Sequence, residues 1–167
     1  MSFTLDEDRL LFRDTLRAFL TESSPEHEVR RLMDSDEGYD ADVWQRMAGQ
    51  LGLQGLGIPE RFGGSGFGPV EVGIALEEMG RVLLCAPYLA TAAFAVPVLL
   101  HCGDDSACEE YLPKIADGRL IATVALGEAT GRWDADGMTT QATRSADGSW
   151  RLTGEKCFVL DLSLIHI

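Results

Sequence analysis

Apolar residues recur at helical spacing through the first two thirds of the chain and at strand spacing after that. Leu5, Phe12, Leu16 and Phe19 fall on one helical face, and Thr4 with Glu7 makes a capping-box signature, so a first helix is predicted to end near Glu22. Ser24-Pro25 restarts a helix, with Pro25 at its first position and Val29, Leu32 and Met33 turned inward. A third is predicted from Asp40, its cap, through Val43, Trp44, Met47 and Leu51 to a stop at Gly52. Over 52–69 the pattern dissolves; seven glycines and two prolines there mark a loop. Helix resumes at Pro69 with Val72, Leu76, Met79 and Leu83 on one face and Glu71, Glu77, Glu78 and Arg81 elsewhere. The stretch 87–101 is apolar nearly all round, which predicts a central helix, kinked or broken at Pro97. A short helix over Asp104–Tyr111 is expected to end at Pro113.

After Gly118 the period shortens. Leu120–Leu126 is a compact apolar run with branched residues, the pattern of a buried strand. Two β-prone runs, 139–143 and 150–152, flank Asp147-Gly148 as in a hairpin, and a last short run covers 157–160. The class is therefore α+β: an all-α N-terminal domain over 1–118, then over 119–161 the first strands of an incomplete antiparallel β-barrel. Four short strands cannot close a barrel and leave edges unpaired, so on physical grounds the second part reads as unfinished.

The 167 residues have room for one domain and part of another, and 46% hydrophobic with 25% charged residues is the balance of a chain with a real core. Acidic residues outnumber basic ones 27 to 14, a formal charge of −13, which argues against nucleic acid as a partner. An anionic ligand would need its own basic or N–H-rich pocket. No apolar run approaches the roughly 20 residues of a membrane span, and the start (Asp6, Glu7, Asp8) is the opposite of a basic signal peptide. A cytoplasmic location is the expectation. Cys85, Cys102, Cys108 and Cys157 form no Cys-x-x-Cys pair, and His101, Cys102 and Cys108 match no zinc spacing. Reduced, mostly buried thiols and no metal site are expected.

Candidate chemistry is sparse. Gly63–Gly68 invites a phosphate-cradle reading, but it lacks the Lys-Ser/Thr ending of such loops and follows no strand, so a structural connector fits better. Glu77 and Glu78 are adjacent on a helix and point apart, which suits a solvated face with one inward exception. His27, His101 and His166 have no triad partners, and Ser24, Ser65 and Ser106 lie in no nucleophile elbow. The segment Val124–Asp134 runs from a strand into small residues, an acid and an aromatic. It reads either as an ordinary strand exit or as a strand end that presents backbone to a flat ligand.

Several segments, taken in order, carry a resemblance. Trp44–Gly66 reads as a Trp helix ending in Leu-Gly and leading to Ile58-Pro59-Glu60-Arg61-Phe62-Gly63-Gly64-Ser65-Gly66. It is followed by Glu77-Glu78-Met79-Gly80-Arg81, then by Tyr111–Gly118, and finally by Leu152–Val159 with its Gly154 and Lys156. In order and separation, over 5–161, these resemble the acyl-CoA dehydrogenase family. The resemblance implies an N-terminal helical domain, a middle β-domain and a C-terminal helical bundle, with FAD between the last two and an oligomeric assembly.

The implied activity is oxidation of an acyl-CoA thioester to the trans-2-enoyl-CoA. A carboxylate base takes the Cα proton while the Cβ hydride passes to flavin, and electron-transfer flavoprotein is the expected acceptor. Carried over by position, the flavin-contacting strand end is Val124, Leu126, Gly127, Glu128, Ala129, Trp133 and Asp134. Gly127 stands where the family has Thr, Ala129 where it has Pro, and Arg132-Trp133 where it has Gly-Ser. Backbone contacts to FAD are implied at Leu126 and Gly127. Phe158 matches the aromatic that packs on the isoalloxazine, and Leu160 stands where Thr or Ser is usual. Val124, Leu126, Gly127, Glu128, Trp133, Phe158 and Leu160 are thus the cofactor positions, with Trp133 also toward substrate. The family's catalytic glutamate belongs to the C-terminal bundle, so none is assigned in this chain, and 162–167 read as an unrelated tail. The departures suit a divergent branch. Three readings stay open: a fragment of an enzyme, a non-catalytic partner subunit of a heteromeric enzyme, or a helical interaction module.

Overall fold

The computed structural model describes residues 5–132 and 134–164. Helix α1 spans Glu7–Ser23. Its cap is Asp6, which accepts from the Arg9 amide at 2.9 Å, while Thr4 of the predicted capping box lies outside the described residues. Helix α2 covers Glu26–Met33 with Pro25 at the cap, one position earlier than predicted. Val29 and Leu32 take its buried face, and Met33, expected inward, is 72% exposed. Helix α3, Ala41–Leu51, follows its sequence signals: Asp40 accepts from the Asp42 and Val43 amides, and Gly52 ends it in the left-handed region at φ 61°. Helix α4 is Pro69–Arg81. Leu83, predicted for its apolar face, falls beyond the helix end and is exposed.

Two later helices depart from expectation. A π-helical segment, Leu89–Ala95, runs into α5, Val96–His101. The irregularity expected at Pro97 thus lies upstream of it, in the π-helical turns, and Pro97 sits in the first turn of α5. Helix α6 extends over Asp105–Ala116 and passes through Pro113 instead of stopping there. Leu112, Ile115 and Ala116 are buried on either side of that proline, so packing overrides the local breaker. No helix among the described residues is long and apolar enough to cross a membrane.

One core joins Leu16 and Leu20 of α1, Trp44 and Met47 of α3, Met79 of α4, and Tyr88. A second joins Ile58, Phe62 and Val96 to Leu112 and Ile115 of α6. Each fully enclosed Leu or Met contributes roughly 1.5–3 kcal/mol, against about 0–1 for an exposed pair such as Arg30–Glu26, so burial holds the helical part together. The carboxylate of Glu78, with only 1% of its side chain exposed, accepts from Arg17 Nε and Arg81 Nε, both at 2.9 Å. It is the inward exception on its helix face. Glu71, also buried, accepts from Arg9 Nε at 2.7 Å, so two ion pairs bind α1 to α4.

The glycine-rich loop packs upon itself. Each amide from Phe62 to Gly68 donates within the chain, among them Ser65 to the Gly55 carbonyl, Gly66 to that of Ile58 and Phe67 to that of Leu56. With those donors spent the loop is a structural connector, not a phosphate cradle. A Cβ on Gly64 would lie 2.0 Å from the Ile58 carbonyl oxygen, so no larger residue fits there.

The Gly118 carbonyl accepts from Trp44 Nε1 at 2.9 Å and from Gln45 Nε2 at 2.8 Å, pinning the end of the helical part to α3. Beyond it, β1 (Gln141–Arg144) pairs antiparallel with β2 (Trp150–Thr153), with Gln141 opposite Thr153 and Arg144 opposite Trp150. The turn carries Gly148 at φ 87°, as the Asp-Gly signal predicts. Leu120–Leu126 and 157–160, predicted as strands, belong to no ladder, and the second is bent, with Phe158 at φ 53°. No strand lies beside them among the described residues, and side chains take several of their backbone groups. Thr91 Oγ1 donates to the Ala122 carbonyl at 2.9 Å and accepts from its amide, and Thr123 Oγ1 donates to the Leu160 carbonyl at 2.7 Å.

Candidate functional site

The segments 124–132 and 157–160 face the helical part across a cavity of about 590 Å³, within the range of about 300–1,000 Å³ typical of small-molecule sites. One wall is helical: Ala93 and Phe94 of the π-helical segment, then Pro97 and Val98 of α5. The other is formed by Val124, Leu126, Gly127 and Glu128, continuing through Ala129, Gly131 and Arg132, and by Cys157, Phe158 and Leu160. Six positions assigned from the sequence, Val124, Leu126, Gly127, Glu128, Phe158 and Leu160, therefore meet at one cavity. Trp133, assigned to both cofactor and substrate, lies outside the described residues. The helical wall was missed. Its signal was the all-round apolarity of 87–101: Phe94 and Val98 are 43% and 51% exposed because they face the cavity and not the core.

Glu128 is the most constrained group of the site. Its side chain is 2% exposed. The carboxylate accepts from Lys156 Nζ at 2.8 Å, from Thr140 Oγ1 at 2.6 Å and the Thr139 amide at 2.6 Å, and also from the Thr139 hydroxyl and the Thr140 amide. The Lys156 ammonium first, and then the threonine donors, hold its ionisation far below the usual carboxylate range. Such a group is a poor base at neutral pH, and its oxygens are already engaged. What Glu128 offers the cavity is its place in the wall.

Gly127 bonds the opposite lip, its carbonyl accepting from the Cys157 amide at 2.8 Å. A Cβ at residue 127 would come 2.7 Å from the Cys157 carbonyl oxygen. The Thr of the resembled motif could not occupy this backbone without moving residue 157. Phe158 follows at φ 53°, a left-handed conformation that non-glycine residues rarely adopt, and its side chain is fully exposed. Arg132 stands at the rim, paired with Asp134 at 2.9 Å; both side chains are more than half exposed, so the guanidinium remains open to an anionic ligand. Among the described residues no cluster of His, Cys, Asp or Glu is placed to hold a metal ion.

The chain is similar to known proteins. The family profile described as acyl-CoA dehydrogenase, N-terminal domain, matches residues 6–119. The acyl-CoA dehydrogenase IpdE2 of Mycolicibacterium smegmatis is 35% identical over 120 residues, 72% of this chain and 37% of that protein. The acryloyl-CoA reductase (NADH) of Anaerotignum propionicum is 30% identical over 162 residues, 95% of this chain and 40% of that one. Among solved structures, a variant of the Tcur3481-Tcur3483 steroid ACAD superposes with a TM-score of 0.80 at 31% identity, covering 93% of this chain and 42% of that one. The chain thus spans about 40% of the length of the curated relatives it matches.

Proposed function

The chain belongs to the acyl-CoA dehydrogenase family, and from that premise we propose that it forms the helical domain and the adjoining cavity wall of an FAD-dependent oxidoreductase acting on an acyl-CoA thioester. The observation that carries the reading is the convergence of Leu126, Gly127, Phe158 and Leu160 on one apolar cavity opposite Phe94 and Val98. The lining suits one face of a flat ring: aliphatic side chains, an exposed aromatic, and at Gly127 a backbone with no side chain. Leu126, Gly127 and Phe158 would hold the flavin, which when bound supplies the hydride acceptor. Arg132 is the cation nearest to hand for an anionic part of cofactor or substrate.

This chain's own share is positional: it excludes water from one side of the ring, orients it, and keeps both lips of the cavity together. Glu128 does not take the substrate's Cα proton, because its carboxylate is buried and paired. The base comes from sequence outside 1–167. Electron-transfer flavoprotein as acceptor and an oligomeric assembly accompany the reading. A second reading, a partner subunit without complete flavin chemistry, is favoured by Gly127 and Trp133, which stand in the sequence where the family motif has Thr and Ser.

The experiment is to express the protein together with whatever sequence follows residue 167 in its gene and titrate it anaerobically with acyl-CoA thioesters. Stoichiometric flavin bleached by one of them supports the enzyme. Bound flavin that none of them bleaches supports the partner subunit. A protein that takes up no flavin removes both.

A further inference from the structure

We propose that Cys102 and Cys108 form a peroxide-sensitive thiol pair that closes into a disulfide, tying the end of α5 to the first turn of α6. Both thiols donate to one acceptor, the Leu99 carbonyl, each with a sulfur–oxygen distance of 3.1 Å. Two sulfurs held to the same oxygen at that range are at most about 6.2 Å apart, twice 3.1 Å. Cys102 follows the last residue of α5 and precedes Gly103, which is at φ 77°, so its side chain belongs to a bend and not to either helix. Rotation about its χ1 can carry Sγ toward Cys108 without breaking a helical hydrogen bond. The other two thiols are placed differently: Cys85 points to the Val29 carbonyl, and Cys157 lines the cavity.

The two sulfurs have unequal surroundings, which sets their roles. Cys102 is exposed and Cys108 is buried. Burial foremost, with Cys102, Asp105 and Asp104 adding to it and Arg61 opposing, pushes the Cys108 thiol up and keeps it protonated. Cys102 is therefore the group a peroxide reaches. Its thiolate attacks one peroxide oxygen, the O–O bond breaks, and Cys102 sulfenic acid and hydroxide result. The Cys108 sulfur then attacks the Cys102 sulfur; the S–O bond breaks, and the departing hydroxide takes the Cys108 proton as water. The two thiols lose two electrons and the peroxide gains them. A dithiol reductant reverses the change. The bond would form at the far end of the helix whose Pro97 and Val98 wall the cavity.

The test uses the purified chain, reduced, freed of reductant, exposed to hydrogen peroxide and then alkylated. The expected product has lost two of its four alkylation sites and two hydrogens in mass. Cleavage before Asp104 separates the two cysteines, so the resulting peptides stay joined until dithiothreitol is added. Cys102→Ser, a change at an exposed position, should abolish the joined peptide. Cys108→Ser should leave Cys102 as a dimedone-reactive sulfenic acid. The proposal is overturned if Cys102 is oxidised to sulfinic acid while Cys108 remains open to alkylation, or if the linkage is to Cys85, to Cys157 or between chains.

Discussion

Lys156 donates to the carboxylate of Glu128 at 2.8 Å across 28 residues of sequence, and the contact joins the two lips of the cavity. Glu128 belongs to the lip that continues from the helical part, and Lys156 directly precedes Cys157 and Phe158 of the other. Thr139 and Thr140, on the same carboxylate, add the start of the hairpin to the junction. Since β1 and β2 are exposed along their whole length, no hydrophobic core holds this region among the described residues. A buried polar hub does so instead.

Lys156→Met should therefore loosen this junction and leave the helices untouched. It strands a buried carboxylate with neutral donors only. Hydrogen exchange at the Thr139 and Thr140 amides is expected to rise roughly tenfold or more, with no change in α1, α3 and α4. The depressed ionisation of Glu128 gives the pH sign: the clamp persists above the ordinary carboxylate pKa and is lost only as pH falls toward its lower folded value. Unchanged exchange in the variant would mean that the threonines alone suffice.

Glu78 sets an acid limb for the helical part. Hydrogen bonds from Arg17, and then from Arg81, lower its pKa from 4.5 to about 2. The folded value lies below the unfolded one, so the stabilisation is complete above about pH 4.5 and disappears as pH falls toward 2. Its ceiling is roughly 3 kcal/mol at about 1.4 kcal/mol per pKa unit. Urea midpoints measured between pH 2 and 7 should show wild type losing stability over that window relative to Glu78→Gln. Parallel curves would remove Glu78 as the source.

Gly64 and Gly49 should respond oppositely to alanine. At Gly64 a Cβ meets the Ile58 carbonyl oxygen at 2.0 Å, a backbone atom that cannot rotate away. A loss of about 3 kcal/mol or more is expected, from overpacking and from opening the loop. At Gly49, exposed within α3, nothing lies within 4 Å, and alanine should stabilise by roughly 0.5–1 kcal/mol. Thermal unfolding of the two variants would show the contrast, and a tolerated Gly64→Ala would contradict this loop packing.

The helical part was readable wherever a local signal and the tertiary environment agree. Asp40 and Gly52 bound α3 because cap chemistry acts within a few residues. At Pro113 they disagree: the breaker is local, but Leu112 and Ile115 are held by Phe62 and Val96, far away in sequence. Leu120–Leu126 has the composition of a strand, yet a ladder needs a neighbour, and among the described residues none adjoins it. The convergence of residues near 127 with those near 158 came only through motif resemblance, because hydrophobic periodicity carries no information about contacts thirty residues apart. The helical wall at Phe94 and Val98 was hidden for a related reason. An apolar residue facing a cavity has the same pattern as one facing a core.

Phe158 offers the sharpest trial of the cavity's role. Its φ of 53° costs a non-glycine residue about 1–2 kcal/mol, and its fully exposed ring recovers none of that by burial. A strained, unburied aromatic at a cavity lip is expected where a ligand uses the ring. Phe158→Gly releases the strain at an entropic cost of roughly 0.5–1 kcal/mol, so the variant should fold at least as stably as the parent chain. Its affinity for FAD should nevertheless fall. The isolated chain itself should bind FAD weakly, since Leu126, Phe158 and Leu160 are a third or more exposed and enclose only one side of a ring. The loss should therefore be measured in the longer protein, where a stacked aromatic contributes about 0.5–1.5 kcal/mol, up to roughly tenfold in Kd. Equal stability with reduced flavin affinity would mark Phe158 as kept for its ligand, whereas reduced stability with unchanged affinity would make its conformation a structural feature of the hairpin junction.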